Sequence, residues 1–217
     1  MGTKKYLEEV KEYLHNSPVV ESTSLYRLIR ARKQLKQYHK QLIRNLIKKR
    51  QLKPLTRGCY TIHDEVSLAV FCFTPAYLGL EDALSYHGLW EQETIPIVVT
   101  TRKVRQGLRK FAGTNYLVRR IDRKYYFGVD YYPVGEFSLP YSDKEKTFLD
   151  VLYFKLKFTD EELQEMATGL DTQKLWQYLE RYPEKMRKRV KKILAQGKER
   201  QLCGLPALRS EAKTALA

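Results

Sequence analysis

The sequence predicts an α+β fold in two parts: an N-terminal helical module closed by a hairpin, and a mixed α/β domain that ends in helices. Residues 1–62 contain three stretches of helical apolar spacing and then a short hairpin pattern. Residues 95–139 contain strand-like runs rich in β-branched and aromatic side chains. Further along, capping patterns precede apolar stretches of helical period. We therefore expect two domains, 1–62 and 63–197, and a frayed tail over 198–217.

Positive charge is concentrated at the two ends of the chain, whose 217 residues carry a net charge of +15. Residues 1–60 hold 15 Lys or Arg against 4 Glu, and residues 181–217 hold 11 against 3. The middle, residues 61–180, holds 14 against 18 Asp or Glu and is mildly acidic. Basic ends of this kind indicate a polyanionic partner, whereas the acidic middle predicts a different role.

Cysteine content and hydropathy indicate the cellular compartment. The three cysteines, Cys59, Cys72 and Cys203, form no CxxC pair, so we expect neither a disulfide framework nor a thiolate zinc site. A reducing cytoplasm is the corresponding prediction. No stretch approaches the roughly 18 continuous apolar residues of a membrane span, and the charged N-terminus has no apolar signal core. We expect a cytoplasmic protein without a membrane partner.

Three helices are predicted in the first domain. The first covers residues 4–15, and the Asn-Ser-Pro segment at 16–18 ends it. Side-chain oxygens at 21–24 cap a short second helix. The third covers roughly residues 33–49 and combines an inward apolar stripe with a basic outer side.

The third helix is followed by a basic hairpin. Residues 51–62 read QLKPLTRGCYTI, in which a Thr-Arg-Gly turn joins two short strand patterns. Three helices and then a hairpin is the order of a winged helix-turn-helix, whose third helix enters the DNA major groove. Since Lys and Arg neutralise phosphates and Gln amides pair with base edges, the predicted partner is double-stranded DNA. The predicted contacts are Lys33, Lys36, Gln37, Lys40, Gln41, Arg44 and Lys48 on the helix, with Lys53 and Arg57 on the wing.

Two other interpretations of these basic residues stay open. Lys-rich helix faces are often only solvated surface. Basic helices also follow the backbone of A-form RNA, so RNA binding is a second alternative. The sequence shows no aromatic ladder of the kind that stacks on single-stranded bases.

The second domain begins with an apolar segment of undecided type. Residues 64–73 suit either a buried helix or a strand, because their periodicity does not separate the two. A helix over 80–87 is expected to end at Gly88, in the position of a C′ glycine. On that helix His87 is expected to be a hydrogen-bonded packing residue. The strand-like runs, which predict a small and mostly antiparallel sheet, are 95–100, 116–121, 125–132 and 134–139.

Several segments of the chain resemble one known family. Residues 76–90, AYLGLEDALSYHGLW, resemble the segment that opens the C-terminal domain of AbiEi-type antitoxins. The wing sequence LTRGCYTI is similar to the arginine-glycine-x-tyrosine wing of that family. Residues 126–128, YFG, and 144–150, KEKTFLD, resemble two later landmarks. The similarity spans roughly residues 5–155.

The resemblance implies an α+β protein with a winged helix-turn-helix, followed by a small mixed α/β domain with a helical C-terminal part. It implies a DNA-binding transcriptional autorepressor that acts on its own promoter region. It further implies the antitoxin of a type IV toxin–antitoxin system, whose partner is a nucleotidyltransferase toxin encoded nearby. Gln51, Lys144 and Thr147 depart from the family pattern, which has Gly, Pro and Ala there. A winged-helix regulator without a toxin partner is therefore the alternative.

The C-terminal part is predicted to be helical. Residues 142–145, SDKE, and 159–162, TDEE, are capping-box patterns, and a third helix covers 170–179. The last helix, after Pro183, is strongly basic. Its cations are a second candidate phosphate contact, or only a solvated face, and they are Arg187, Lys188, Arg189, Lys191 and Lys192.

The sequence carries no familiar catalytic motif. P-loop, GxGxxG, HExxH and GxSxG patterns are all lacking. Two carboxylates and a lysine, the residue types of a nuclease site, occur together at Asp143, Glu145 and Lys146. They lie at a predicted helix start, whereas such a site normally spreads over adjacent strands. We expect no enzyme activity, no metal and no cofactor, with a metal-dependent nuclease as the enzymatic alternative.

Overall fold

The computed structural model describes residues 10, 12–30 and 38–203. The protein has an α+β fold, as predicted, with a small N-terminal sheet and a larger second sheet. The predicted beginnings of the first and third helices, and the residues from 204 onward, lie outside the described residues.

The N-terminal module has the helical trio and the hairpin of a winged helix-turn-helix. Residues 12–16 belong to the first helix, α1. The other elements are β1 (Val20–Glu21), α2 (Ser22–Arg30), α3 (Tyr38–Lys48), β2 (Lys53–Thr56) and β3 (Cys59–Thr61). The strands form an antiparallel sheet in the order β1–β3–β2. Leu14 of α1, Leu25 of α2 and Leu46 of α3 share one apolar cluster, which holds the trio together.

Helix α3 ends on an arginine in a left-handed conformation. Arg50 has a φ of +57°. Its N–H donates to the Ile47 carbonyl at 3.0 Å, and the Gln51 N–H donates to the Leu46 carbonyl at 2.9 Å, which is the Schellman pattern. The residue with the positive φ that favours glycine is therefore Arg50 and not Gln51. The glutamine at 51, where the resembled family often has glycine, causes no backbone strain.

A six-stranded mixed sheet forms the centre of the second domain. Its strands are β4 (Ala76–Leu78), β5 (Ile97–Thr100), β6 (Gly107–Phe111), β7 (Thr114–Arg120), β8 (Val129–Val134) and β9 (Phe137–Ser142). The order is β6–β7–β5–β4–β9–β8. Antiparallel pairs β6–β7, β4–β5 and β8–β9 are joined by the parallel pairs β5–β7 and β4–β9. Strand β6 was not predicted, and β8 starts later than expected because Arg123–Tyr125 forms a 3-10 turn.

The sheet separates two apolar layers. On one face a 3-10 helix, Val66–Phe73, packs with Val98, Val118 and the wing residue Leu55. This 3-10 helix answers the undecided assignment of residues 64–73. On the other face Val99 packs with the C-terminal helices. The helices of the domain are α4 (Glu81–Tyr86), α5 (Lys144–Tyr153), α6 (Asp160–Thr168), α7 (Thr172–Leu179) and α8 (Glu184–Cys203).

The wing is joined covalently to the second domain. Cys59 in β3 and Cys72 in the 3-10 helix form a disulfide, with Cα atoms 5.9 Å apart. The expectation that the cysteines form no disulfide is therefore wrong. The two cysteines belong to different predicted elements, and only the packing of β3 against the 3-10 helix brings them together.

Local capping was predicted correctly at one helix and incorrectly at another. The Thr159 and Glu162 side chains form the reciprocal capping box of α6, as predicted. At α5 the N-cap is Asp143, whose carboxylate accepts from the Lys146 N–H at 2.7 Å. Glu145 instead accepts from the Asp171 N–H at 2.9 Å, so the predicted box at α5 is wrong.

Helix α8 continues past the predicted domain end at residue 197. It remains helical through Gly197 to Cys203, so residues 198–203 are not the frayed tail that the fading apolar pattern suggested. Within the described residues, none of the helices combines the length and the apolar character needed to cross a membrane.

Candidate nucleic-acid interface

Helix α3 presents a polar outer face. His39, Leu42, Ile43 and Leu46 are buried against the module core. The exposed residues on the opposite face are Lys40, Gln41, Arg44, Asn45 and Lys48. The Gln41 amide donates to Asn45 Oδ1 at 3.2 Å, which holds it along the helix surface. The structure thus groups four of the predicted helix contacts, Lys40, Gln41, Arg44 and Lys48, on one face.

The remaining predicted helix contacts, Lys33, Lys36 and Gln37, lie outside the described residues. They belong to the segment that precedes α3 in the chain.

The wing presents Arg57 at its turn. Arg57 is exposed, and Gly58 beside it has a φ of +80°, a conformation that suits glycine. The Gly58 carbonyl accepts from the Ser22 N–H at 2.8 Å, which ties the turn to the start of α2. Lys53 differs from Arg57, because its ammonium forms an ion pair with the Asp64 carboxylate. Its charge is partly neutralised within the protein.

A second basic region, which the sequence analysis missed, lies in the second domain. Residues 102–124 contain nine Lys or Arg and a single Asp. They cover the β5–β6 loop, edge strand β6, strand β7 and the 3-10 turn that follows. We call the cations of this segment the basic edge. Its exposed members are Arg102, Lys103, Arg105, Lys110, Arg120, Arg123 and Lys124.

The basic edge adjoins the wing directly. Arg109 of β6 donates to Thr56 Oγ1 of β2 at 3.1 Å and to the Arg105 carbonyl at 2.9 Å. The buried Tyr116 hydroxyl donates to the Leu55 carbonyl at 2.8 Å. Strand β2 of the wing therefore rests on the β6–β7 hairpin, which brings the cations of β6 next to the wing. Lys124, at the far end of the segment, instead lies over the Tyr125 ring, which packs in the helical cluster.

The cations of α8 lie in the other layer. Val190 and Ile193 of α8 are buried in the helical cluster, across the sheet from the wing. Several α8 cations also have partners within the protein. Arg187 donates to the Tyr182 carbonyl at 3.0 Å, and Lys188 pairs with Glu184 at 3.4 Å. Arg189 and Lys192 are exposed, while Lys191 lies over the Trp176 ring. The structure does not bring these residues together with the α3 and wing cations.

Three of the four segments that carry the family resemblance, all but the wing sequence, meet at α5. Tyr77 donates to Asp150 at 2.6 Å, and the Asp143 N–H donates to the Gly128 carbonyl at 2.9 Å. His87 Nε2 donates to the Ser142 carbonyl at 2.7 Å, which confirms its predicted packing role. Three segments distant in sequence thus converge on one helix start.

At this point the protein buries an ion pair. Lys146 and Asp150, one turn apart on α5, are both fully buried and form a salt bridge. The Lys146 ammonium also donates to the Tyr77 hydroxyl at 3.1 Å. Removal from water lowers the pKa of Lys146 and raises that of Asp150, and the ion pair opposes both shifts. Burial likewise raises the pKa of Tyr77.

The other carboxylates of the nuclease-like set are also engaged. Asp143 Oδ2 accepts from the Tyr178 hydroxyl at 2.8 Å and pairs with Lys174 at 3.1 Å. Glu145 pairs with the same Lys174 at 3.2 Å. Burial and the Asp143 hydrogen bond raise the pKa of Tyr178 to about 12. Across the described part of the chain, no group of three or more His, Cys, Asp or Glu is placed to hold a metal ion.

An acidic cleft opens on the helical side of the domain. It has a volume of about 750 Å³ and lies between residues 87–92 and α6. Glu91, Glu162 and Glu165 line it, together with Lys144 and Trp90. The cleft therefore gathers carboxylates within the helical layer, which also holds the basic helix α8.

Comparison with known proteins supports the fold alone. No family model matches the chain, and no curated protein matches its sequence. The chain is similar to the crystal structure of the RV2827C protein from Mycobacterium tuberculosis, with a TM-score of 0.57. The two are 13% identical, and the match covers 89% of this chain and 77% of that one. A shared architecture at this identity carries no function with it.

Proposed function

We propose that this chain is a double-stranded-DNA-binding transcriptional autorepressor. One observation carries the proposal: α3 and the wing turn expose cations on the winged helix, and Arg109 of the basic edge contacts Thr56, beside the wing Arg57. A duplex carries one phosphate charge per ~1.7 Å of axis. It therefore matches an extended row of protein cations better than a compact anion would.

In this proposal the three regions have different tasks. Gln41 and Arg44 of α3 face base edges in the major groove, because amide and guanidinium groups form the bidentate pairs that distinguish bases. Lys40, Lys48 and Arg57 neutralise phosphates and fix the register of the protein on the duplex. The basic edge extends the phosphate contact beyond the winged helix.

The first test is titration of a fluorescent duplex from the region upstream of the gene. The variant Lys40→Ala/Arg44→Ala/Arg57→Ala should bind more weakly, and its slope of log K against log salt should be shallower by roughly 1.8, because Lys40 and Arg57 contact phosphates whereas Arg44 faces bases. Removing two α8 cations, Arg189→Ala/Lys192→Ala, is the matched control and should leave the slope unchanged. Unaltered binding by the triple variant would overturn the proposal.

The basic edge is tested in the same titration. Arg105→Ala/Lys110→Ala removes two exposed cations from the loop and strand beside the wing. We expect a slope reduced by up to about 1.8 and nearly the same loss for specific and unrelated duplexes, since phosphate contacts carry no sequence information. Loss confined to the specific duplex would show that these residues read bases instead.

RNA binding is the competing function for the same surface. Unlabelled duplex DNA and a structured RNA hairpin should be compared as competitors at one salt concentration. We expect the upstream duplex to displace the probe at lower concentration, because a helix enters the wide major groove of B-form DNA and not the narrow one of A-form RNA. Better competition by the RNA would favour the alternative.

We further propose that the chain acts as an antitoxin against a nucleotidyltransferase toxin encoded nearby. The support is the resemblance of three segments to the AbiEi family, together with their convergence at the start of α5. Co-expression of the full chain with an adjacent nucleotidyltransferase should restore growth. The Lys40→Ala/Arg44→Ala/Arg57→Ala variant should still restore it if the second domain counters the toxin. Persistent toxicity with the wild-type chain would leave a regulator without a toxin partner.

A further inference from the structure

The disulfide lies at the junction of the two cationic regions. Cys59 belongs to β3 of the wing and Cys72 to the 3-10 helix of the second domain, and the side chains are 4% and 7% exposed. The Cys72 carbonyl accepts from the Arg102 guanidinium at 3.0 Å. One end of the bond therefore belongs to the wing, and the other lies beside the first cation of the basic edge.

The remaining ties between the wing and the sheet are non-covalent. They include the Tyr116–Leu55 and Arg109–Thr56 hydrogen bonds, the Lys53–Asp64 ion pair and the packing of Leu55 against the 3-10 helix. The wing also has its own attachment to the helical trio, through the Ser22–Gly58 hydrogen bond. Because these contacts persist without the sulfur–sulfur bond, its loss is expected to loosen the wing without unfolding the protein.

We propose that thiol–disulfide exchange at Cys59–Cys72 regulates the affinity of this protein for duplex DNA. The proposal rests on the proposed DNA-binding function. In the reducing direction, the thiolate of a low-molecular-weight thiol attacks one sulfur, and the other cysteine leaves as a thiolate. A second thiol molecule then resolves the mixed disulfide, which yields two cysteine thiols and one small-molecule disulfide. Oxidation by a small-molecule disulfide is the reverse reaction.

The bonded form is the tight-binding form. The bond fixes β3 against the 3-10 helix, so Arg57 and the basic edge are held in one arrangement before DNA arrives. After reduction the wing samples more orientations, and binding has to select one of them. Ordering one long side chain at an interface costs enough to weaken binding by about two- to tenfold, so we expect a loss of about three- to tenfold.

Thiol counting establishes the state of the protein in each sample. The chain has three cysteines, so the oxidised form should react with one equivalent of a maleimide after denaturation and the reduced form with three. Exchange should be slow under native conditions, because both sulfurs belong to buried residues. Three reactive thiols in protein purified without reductant and incubated with oxidised glutathione would overturn the proposal.

The decisive measurement is the affinity for the upstream duplex before and after treatment with dithiothreitol. Wild type and Cys203→Ser, the matched control, should both lose about three- to tenfold on reduction. Cys59→Ala/Cys72→Ala should bind like the reduced wild type and ignore the reductant. Equal or tighter binding after reduction would overturn the regulation while leaving DNA binding intact. Absence of DNA binding in both states would instead overturn the proposed function, and the regulation with it.

Discussion

Replacing Lys146 by Met should destabilise the protein by about 3–5 kcal/mol, because the Asp150 carboxylate would stay buried without its cation. Both side chains are completely buried, and among the residues that the structure describes Asp150 keeps the Tyr77 hydroxyl, at 2.6 Å, as its hydrogen-bond partner. A hydrogen bond to a charged group contributes about 1.5–3 kcal/mol, which is less than the cost of the unpaired charge. Asp150→Leu should cost a similar amount, since it leaves the ammonium unpaired.

Removing both charges together should cost far less than the sum of the two changes. For Lys146→Met/Asp150→Leu we expect a loss of about 1–3 kcal/mol, chiefly from the Tyr77 hydroxyl, which is left buried without its partners. The effect of Tyr77→Phe should therefore change sign. In the wild type it should destabilise by about 1.5–3 kcal/mol, whereas in the double variant it should be neutral or stabilising.

Equilibrium urea unfolding of the full chain measures these differences. Trp90 and Trp176 both pack against the helical cluster that contains α5, so their fluorescence reports its loss. Lys144→Met, an exposed change on the same helix, is the control and should stay within about 0.5 kcal/mol of wild type. Additive costs for Lys146→Met and Asp150→Leu, or a destabilising Tyr77→Phe in both backgrounds, would refute the account of a coupled buried pair.

Two further predictions concern single positions of the second domain, each read by urea unfolding. Gly128→Ala should lower the free energy of unfolding by at least about 2 kcal/mol, because Gly128 has a φ of +61° and a new Cβ would lie 2.9 Å from both Asp143 Oδ2 and Lys146 Cβ. Its control is Gly135→Ala, which is also at positive φ (+57°) but has open space around it. This change should cost only the backbone strain of about 1 kcal/mol. Burial raises the pKa of Asp82 from 3.8 to about 7, so the stability that its protonated form contributes is complete below about pH 4 and is lost as the pH rises through 7. Asp82→Asn should remove this pH dependence and be more stable than wild type above pH 8, by about 1–2 kcal/mol. The full pKa shift corresponds to about 4 kcal/mol, and the partial exposure of Asp82 reduces this figure. An unchanged dependence of stability on pH would contradict the raised pKa of Asp82.

The features that the sequence predicted well are those determined by neighbouring residues. The capping box of α6 needs only Thr159 and Glu162, three positions apart, and it forms as expected. The order of three helices and a hairpin is likewise a local pattern, and it produced the winged helix. The β-branched strand β5 and the C′ glycine Gly88 belong to the same class.

Strand β6 was missed because its residues show only a weak strand pattern, although its pairing with β7 in the fold is complete. It is an edge strand with two exposed residues, Leu108 and Lys110, so it lacks the apolar content of a central strand. Its two-residue turn is Ala112-Gly113, with φ values of +47° and +92°. Such turns usually carry Asn-Gly or Asp-Gly, and the alanine concealed this one. The available signal was the Ala-Gly pair in KFAGTNY, which has an aromatic residue on each side.

The basic edge was missed because the sequence analysis summed charge over the long range 61–180. Over residues 61–180 the charges nearly cancel, although nine of the 14 basic residues fall within 102–124. A shorter window would have separated this segment from the acidic remainder. No window would have placed it beside the wing, because that contact depends on Arg109 and Tyr116 reaching β2 across about sixty residues of sequence. The disulfide between Cys59 and Cys72 spans only 13 residues and escaped prediction because the two cysteines lie in different elements that only the fold brings together.

The carboxylates of the cleft lie away from the surface that the proposal assigns to DNA. In the proposed complex, the wing, α3 and the basic edge face the duplex, while the acidic cleft of Glu91, Glu162 and Glu165 lies on the helical side. A duplex repels the carboxylates of the cleft, so they disfavour approach at that part of the helical side. Exposed cations of α8, Arg189 and Lys192, lie in the same layer, which is therefore acidic at the cleft and basic along α8. The nearly neutral charge of residues 61–180 thus combines the basic edge, which adjoins the wing, with carboxylates that lie elsewhere.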